Sequence, residues 1–156
     1  MMKGINLEND FVDFVKLCNQ HSVKYLVIGG YAVSIHGYPR STKDLDICIE
    51  LSDQNAEKMV RVIADFGFAS LELVKEDFLK ANLIIQLGNE PVRIDILNDL
   101  DGVAFEEAWI NRKMVNYEGE QIPFIGYHEL LKVKAKAGRP QDIADINKLI
   151  KRNKNK

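Results

Sequence analysis

YLVIGGYAVSIHGYPRSTKDLDICIE, residues Tyr25 to Glu50, is the stretch on which the reading of this chain turns. Its last part, Asp44-Leu45-Asp46-Ile47-Cys48-Ile49, alternates polar and apolar residues as a half-buried strand does. Successive side chains of a strand point to opposite faces, so Leu45, Ile47 and Ile49 face a core while Asp44 and Asp46 share the other face. The first part, Tyr25 to Ile28, is a short apolar run broken by Gly29-Gly30 and followed by Ala32, Val33 and Ile35 at helical spacing. That pattern predicts a strand entering a helix through a turn with little side chain, where backbone N–H groups and the positive helix end approach an anion closely. Thirteen residues separate Gly30 from Asp44, and Arg40 and Lys43 lie among them.

Outward from this stretch, the chain reads as an alternation of helices and strands. Asn6 to Gln20 places Leu7, Phe11, Phe14, Val15 and Cys18 on one helical stripe. Beyond the aspartate strand, Ser52 or Asp53 caps a helix carrying Ala56, Met59, Val60, Ile63 and Ala64, which Gly67 ends. Leu83 to Leu87 and Val92 to Leu97 form a hairpin around the four-residue loop Gly88-Asn89-Glu90-Pro91. In its second strand Val92, Ile94 and Ile96 share one face, which puts Arg93 and Asp95 together on the other. A third carboxylate thus stands on the polar face of a strand.

Phe105 to Arg112 reads as a helix with Trp109 in core packing, and Met114 to Tyr117 with Gln121 to Phe124 as a second hairpin. Tyr127 to Ala137 is a helix closed by Gly138, and Pro140 opens another through Ile150 with Ile143, Ile146 and Ile150 as its apolar stripe. Lys134 continues the apolar stripe Tyr127, Leu130, Leu131, so it either snorkels to solvent or reaches into a cleft. The expected architecture is α/β (α+β): one domain over residues 1–156, with a small mixed, twisted sheet, helices on one face and a helical segment over about 126–151 beside the cleft.

Composition narrows the function classes. A hydrophobic share of 46% and a charged share of 28% are those of an ordinary globular protein with a proper core. No apolar run approaches the roughly 20 residues of a membrane span, and the start MMKGINLENDF lacks the apolar core of a signal peptide; a cytoplasmic protein is expected. Cys18 and Cys48 form neither a disulfide framework nor a metal-ligand pattern. The net charge of −2 argues against a protein that coats nucleic acid. From His128 onward, however, nine Lys or Arg face three Asp or Glu. This basic end either caps helices as a solvated surface or holds phosphates. His21, His36 and His128 lack the spacing of a zinc site, and His36 is expected on a helix surface. The glycine spacing of a dinucleotide fingerprint is absent after Gly30.

Three aspartates on the polar faces of two strands would repel one another in a shared cleft unless hard divalent cations neutralise them. Ile28-Gly29-Gly30, the thirteen-residue spacing, Asp44-Leu45-Asp46-Ile47 and the later Arg-Ile-Asp-Ile-Leu around Asp95 resemble the signature of the nucleotidyltransferase superfamily related to DNA polymerase beta. The resemblance runs from about Val23 to Leu97. Lys-Ala-Lys-Ala-Gly-Arg-Pro-Gln-Asp-Ile-Ala-Asp-Ile is similar to the helix pair of small stand-alone bacterial members, which include abortive-infection toxins and lincosamide nucleotidyltransferases. Gly30 stands where many members have serine.

The resemblance implies that Asp44 and Asp46 hold two Mg²⁺ ions (or Mn²⁺), that Asp95 ligates one of them and helps take the acceptor proton, and that Gly29-Gly30 cradles the phosphates of an NTP, ATP among them. Arg40, Lys43 and Lys134 are candidate triphosphate contacts, Arg40 and Lys43 being otherwise plain loop charges and Arg139 a charge at the helix junction. The implied reaction moves an NMP to a hydroxyl; the helix pair and the basic end favour an RNA end such as tRNA, with an antitoxin protein as partner if the chain is a toxin, and the alternative acceptor is an antibiotic-like small molecule. The rival is a non-catalytic module of the same fold that binds a nucleotide or a partner protein.

Overall fold

A computed structural model describes residues 7–154. In chain order the elements are α1 (Asn9–Gln20), β1 (Tyr25–Ile28), α2 (Gly29–Ile35), β2 (Asp44–Ile49), α3 (Asp53–Ile63), the short α4 (Lys75–Phe78), β3 (Ile84–Asn89), β4 (Val92–Leu97), α5 (Phe105–Ile110), β5 (Lys113–Tyr117), β6 (Glu120–Phe124), α6 (Tyr127–Ala137) and α7 (Pro140–Lys154). Asn6, the expected start of the first helix, lies outside the described residues. Leu7, also read into that helix, precedes it and is buried.

Six strands form one mixed sheet in the order β3-β4-β2-β1-β6-β5. β1 is antiparallel to β2 and parallel to β6, and β2 is parallel to β4. β1, near the middle, has all four residues buried, as a continuous apolar run demands. The β3–β4 ladder runs on to Asn89 opposite Val92, so the loop is only Glu90-Pro91 and not the four residues expected. Glycine and asparagine are weak strand formers, but a cross-strand ladder held by its neighbours overrides that preference.

The alternation in β2 and β4 sorts the two faces of the sheet. Leu45, Ile47, Ile94 and Ile96 are essentially inaccessible. α1 packs on their side, since Leu17 shares a hollow with Leu87, Val92 and Ile94, and it also touches α3 and β6. Phe11 and Phe14 of α1 are fully buried, each contributing about 1.5–3 kcal/mol relative to exposure. Ser52 caps α3 by accepting from the Asn55 N–H at 3.2 Å. After Ile63 the helix widens through Ala64–Phe68, where Gly67 takes φ 107. Asp46 and Asp95 emerge on the opposite face, beside the α6–α7 pair.

Two readings of helix faces are corrected. His36 is buried rather than on a helix surface, its Nε2 lying 2.7 Å from the Ile125 carbonyl oxygen. In α7 the buried residues are Asp142, Asp145 and Leu149, while Ile143 and Ile150 of the expected apolar stripe are exposed. The reason is ionic: the buried Lys134 of α6 and the half-buried Arg40 of the loop before β2 hold the aspartate face inward.

Candidate active site

Register brings the carboxylates together. In the parallel β2–β4 pair Asp46 lies opposite Asp95, and Asp44 opposite Arg93. Arg93 donates to both oxygens of Asp95, Nε to Oδ1 and Nη2 to Oδ2, each at 3.0 Å. The same guanidinium stands 3.8 Å from Asp44 Oδ2. Arg93 is therefore the local counter-ion of the cluster. Its position two residues before Asp95 on one strand was the signal for that role, because i and i+2 share a face.

Burial first, then the neighbouring charges of Asp95 and Asp44, push the Asp46 carboxyl up to about 7. Asp44 Oδ1 is buried and accepts no hydrogen bond. Among the described residues no three His, Cys, Asp or Glu side chains already converge as a cation cage. Asp95 is turned to Arg93. Even so, the donor set suits a hard divalent cation: carboxylate oxygens only, one of them orphaned in the interior and another raised in pKa by burial and by the carboxylates beside it.

The glycine turn abuts this cluster. Gly29 opens α2 at φ +70, and a Cβ there would run into Asp46 Oδ2. A Cβ at Gly30 would fall 2.7 Å from the Thr42 Cβ, so Thr42 fills the place of a side chain at that position. Gly29→Ala combines the overlap with a left-handed conformation that costs about 1–2 kcal/mol for a residue with a Cβ. The variant is expected to melt lower than wild type and, since Asp46 must move, to lose about 10²-fold in transfer rate. Melting curves and pyrophosphate release check both; unchanged turnover would show that Gly29 does not fix the Asp46 position.

Gly29, Asp46, Asp95 and Lys134 line one cleft of about 340 Å³, together with Arg139 and Asp142. Lys134 does not snorkel. It is buried, with Nζ 3.1 Å from both Asp142 Oδ1 and Asp145 Oδ2. Arg139 donates to Asp142 Oδ2 at 2.7 Å, yet its side chain is 74% exposed at the cleft. Arg40 spends its guanidinium on Asp145, at 3.0 and 3.1 Å. Lys43 stands apart, largely exposed and 3.7 Å from Glu90. Sequence reasoning missed Asp142 and Asp145 as partners of these cations. Burial pushes both carboxyls up, but hydrogen bonds from Arg139 and Lys134 to Asp142, and from Arg40, Lys134 and Gln141 to Asp145, outweigh it and hold them below the usual range.

The model of a nucleotidyl transferase family of unknown function (DUF2204) matches residues 8–156. The chain belongs to this family. Its fold is also that of solved nucleotidyltransferases. The lincosamide antibiotic adenylyltransferase LnuA, solved with lincomycin bound, is 20% identical over 92% of this chain and 96% of that one, with a TM-score of 0.59. The Thermotoga maritima protein TM1012, assigned as a nucleotidyltransferase, is 15% identical over 90% of each chain, with a TM-score of 0.57. No curated protein matches the sequence. In this nucleotidyl transferase no helix among the described residues is long and apolar enough to cross a membrane.

Proposed function

We propose that this nucleotidyl transferase moves an NMP from an NTP to a hydroxyl of a small molecule, using divalent metal ions held by Asp44, Asp46 and Asp95. One observation carries the reading: Asp46 and Asp95 oppose each other in the same cleft as Gly29 and Lys134. Asp44, Asp46 and Asp95 would hold two Mg²⁺ ions, and the chemistry such ions would supply when bound is neutralisation of the carboxylates, a more acidic acceptor hydroxyl and compensation of charge on the pyrophosphate. Lys134 and Arg139 supply positive charge to the wall that faces the phosphates, and the backbone at Gly29-Gly30 approaches them without a side chain in the way. The acceptor oxygen bonds to the α-phosphorus as the α–β phosphoanhydride breaks, and in this reading Asp95, released from Arg93, takes the hydroxyl proton. Positioning and charge neutralisation lower the barrier, since the protein forms no covalent bond.

The far wall of the cleft supports a small acceptor. Ile84, Leu97 and Leu100 line it with Asp99 and Asp101, and neither of these aspartates has an ion-pair partner among the described residues. An acidic, apolar wall repels an RNA backbone, whose phosphates seek Lys and Arg, whereas apolar side chains with a few polar groups among them suit a small molecule. LnuA, with its bound lincomycin, is a neighbour in fold. The exposed basic end of α7, Lys151, Arg152 and Lys154, favours the second reading, an RNA acceptor and with it a toxin role.

Incubation with Mg²⁺ and each α-labelled NTP, offered a panel of hydroxylated small molecules in one arm and total RNA in the other, tests the acceptor. Label in a small molecule is expected. Label in RNA alone would transfer the proposal to the second reading.

A further inference from the structure

The loop between α2 and β2 is fastened to α7 at two points. Arg40 pairs with the fully buried Asp145 through two hydrogen bonds, at 3.0 and 3.1 Å, across 105 residues of sequence. Farther along the helix, Asn153 Nδ2 donates to the His36 carbonyl at 3.2 Å, and Gly37 lies against Arg152. Beyond Arg40 the loop carries Thr42, which is pressed on Gly30, and it then delivers Asp44. Asp145 also accepts from Lys134, 3.1 Å away on the wall of the cleft, and from Gln141 at 2.9 Å.

We infer that Asp145 is a positioning residue: it clamps the 36–43 loop over the glycine turn through Arg40 and fixes the cleft wall through Lys134, and so sets nucleotide affinity. Arg40 thereby acts on the nucleotide through the loop it anchors. A carboxylate that served stability alone would need neither a partner on this loop nor one on the cleft wall. A buried polar cluster with every member satisfied has one geometry, and it transmits that geometry to what it holds. The nucleotide half of the inference rests on the proposed function; the loop half does not.

Asp145→Asn, Arg40→Ala and the double variant test both halves. Hydrogen exchange of residues 38–43 in the free protein is expected to accelerate in each variant while the sheet amides keep their protection. Titration with each Mg·NTP is expected to show affinity weaker by about tenfold, within the loss that a misplaced positioning group causes. In turnover KM rises and kcat changes little, the pattern of lost uniform binding. The double variant is no worse in affinity than the worse single one, because the two residues act as one unit. Arg40→Ala leaves Asp145 its Lys134 and Gln141 partners, so it reports on the clamp even if Asp145→Asn unfolds. Unchanged loop exchange in Arg40→Ala, or a normal nucleotide affinity beside faster exchange, overturns the inference. A wild type that exchanges as expected but binds no Mg·NTP refutes the proposed function and the nucleotide half, and leaves the clamp standing.

Discussion

Asp46→Asn is expected to stop nucleotidyl transfer, lowering the rate by about 10³-fold or more, while making the metal-free protein more stable at pH 8. The rate falls because the substitution removes a negative oxygen from a preorganised electrostatic site, where single groups are worth about 10²–10³. Stability rises for the opposite reason. Burial and the charges of Asp95 and Asp44 lift the Asp46 carboxyl from 3.8 to about 7. Folded protein thus keeps a proton that the unfolded chain releases near 3.8, and wild type loses stability as pH rises between those two values. The neutral amide has no such loss. Allowing for partial solvation of the site, the variant should gain roughly 1–3 kcal/mol above pH 7 and little below pH 4. Melting curves in EDTA across this range check the sign; a variant that melts below wild type at pH 8 would show that Asp46 is not under electrostatic strain.

Lys134→Met is expected to destabilise the protein by about 3 kcal/mol at neutral pH, the lower end for breaking a buried ion pair. Asp142 and Asp145 are both buried, and among the described residues Lys134 is the one cation that bridges them. Arg139 and Arg40 remain to each carboxylate, which is why the loss stays at that lower end. In a chain of this length it corresponds to a fall of about 6–12 °C in melting temperature. The pH dependence has the opposite sense to that of Asp46. Both carboxyls are held below their ordinary value, so the stability they contribute is present above about pH 4 and disappears as pH falls through their folded values. The gap between wild type and variant should therefore narrow in acid. Equal melting temperatures at pH 7 would mean that the two arginines suffice without the lysine.

Local pattern carried most of the fold. The alternation in Asp44–Ile49 and Val92–Leu97 fixed which side chains share a face, and the parallel register then brought Asp46 and Asp95 side by side. Gly138 and Pro140 marked the α6–α7 junction to the residue. The buried face of α7 was illegible for a physical reason. Helical periodicity places isoleucines inward by default, whereas the fold spends that face on Asp142 and Asp145, and the Arg40 that pairs with Asp145 is more than a hundred residues away. His36 was misread likewise, since its acceptor is the carbonyl of Ile125 on a distant segment. Arg40 and Lys134 were legible as basic residues near the site, but their carboxylate partners were not. The part of the cleft lined by Ile84, Leu97, Leu100, Asp99 and Asp101 is assembled from two strands and the loop after them, and no single stretch of sequence reports it.

In the function proposed, Asp44, Asp46 and Asp95 form a metal-dependent transfer site. Pyrophosphate released from an NTP in the presence of a hydroxyl acceptor measures it most directly, with Mg²⁺ or EDTA, for wild type and Asp95→Ala. Release is expected from wild type with Mg²⁺, and none with EDTA or from the variant. Equal release by wild type and Asp95→Ala would contradict it.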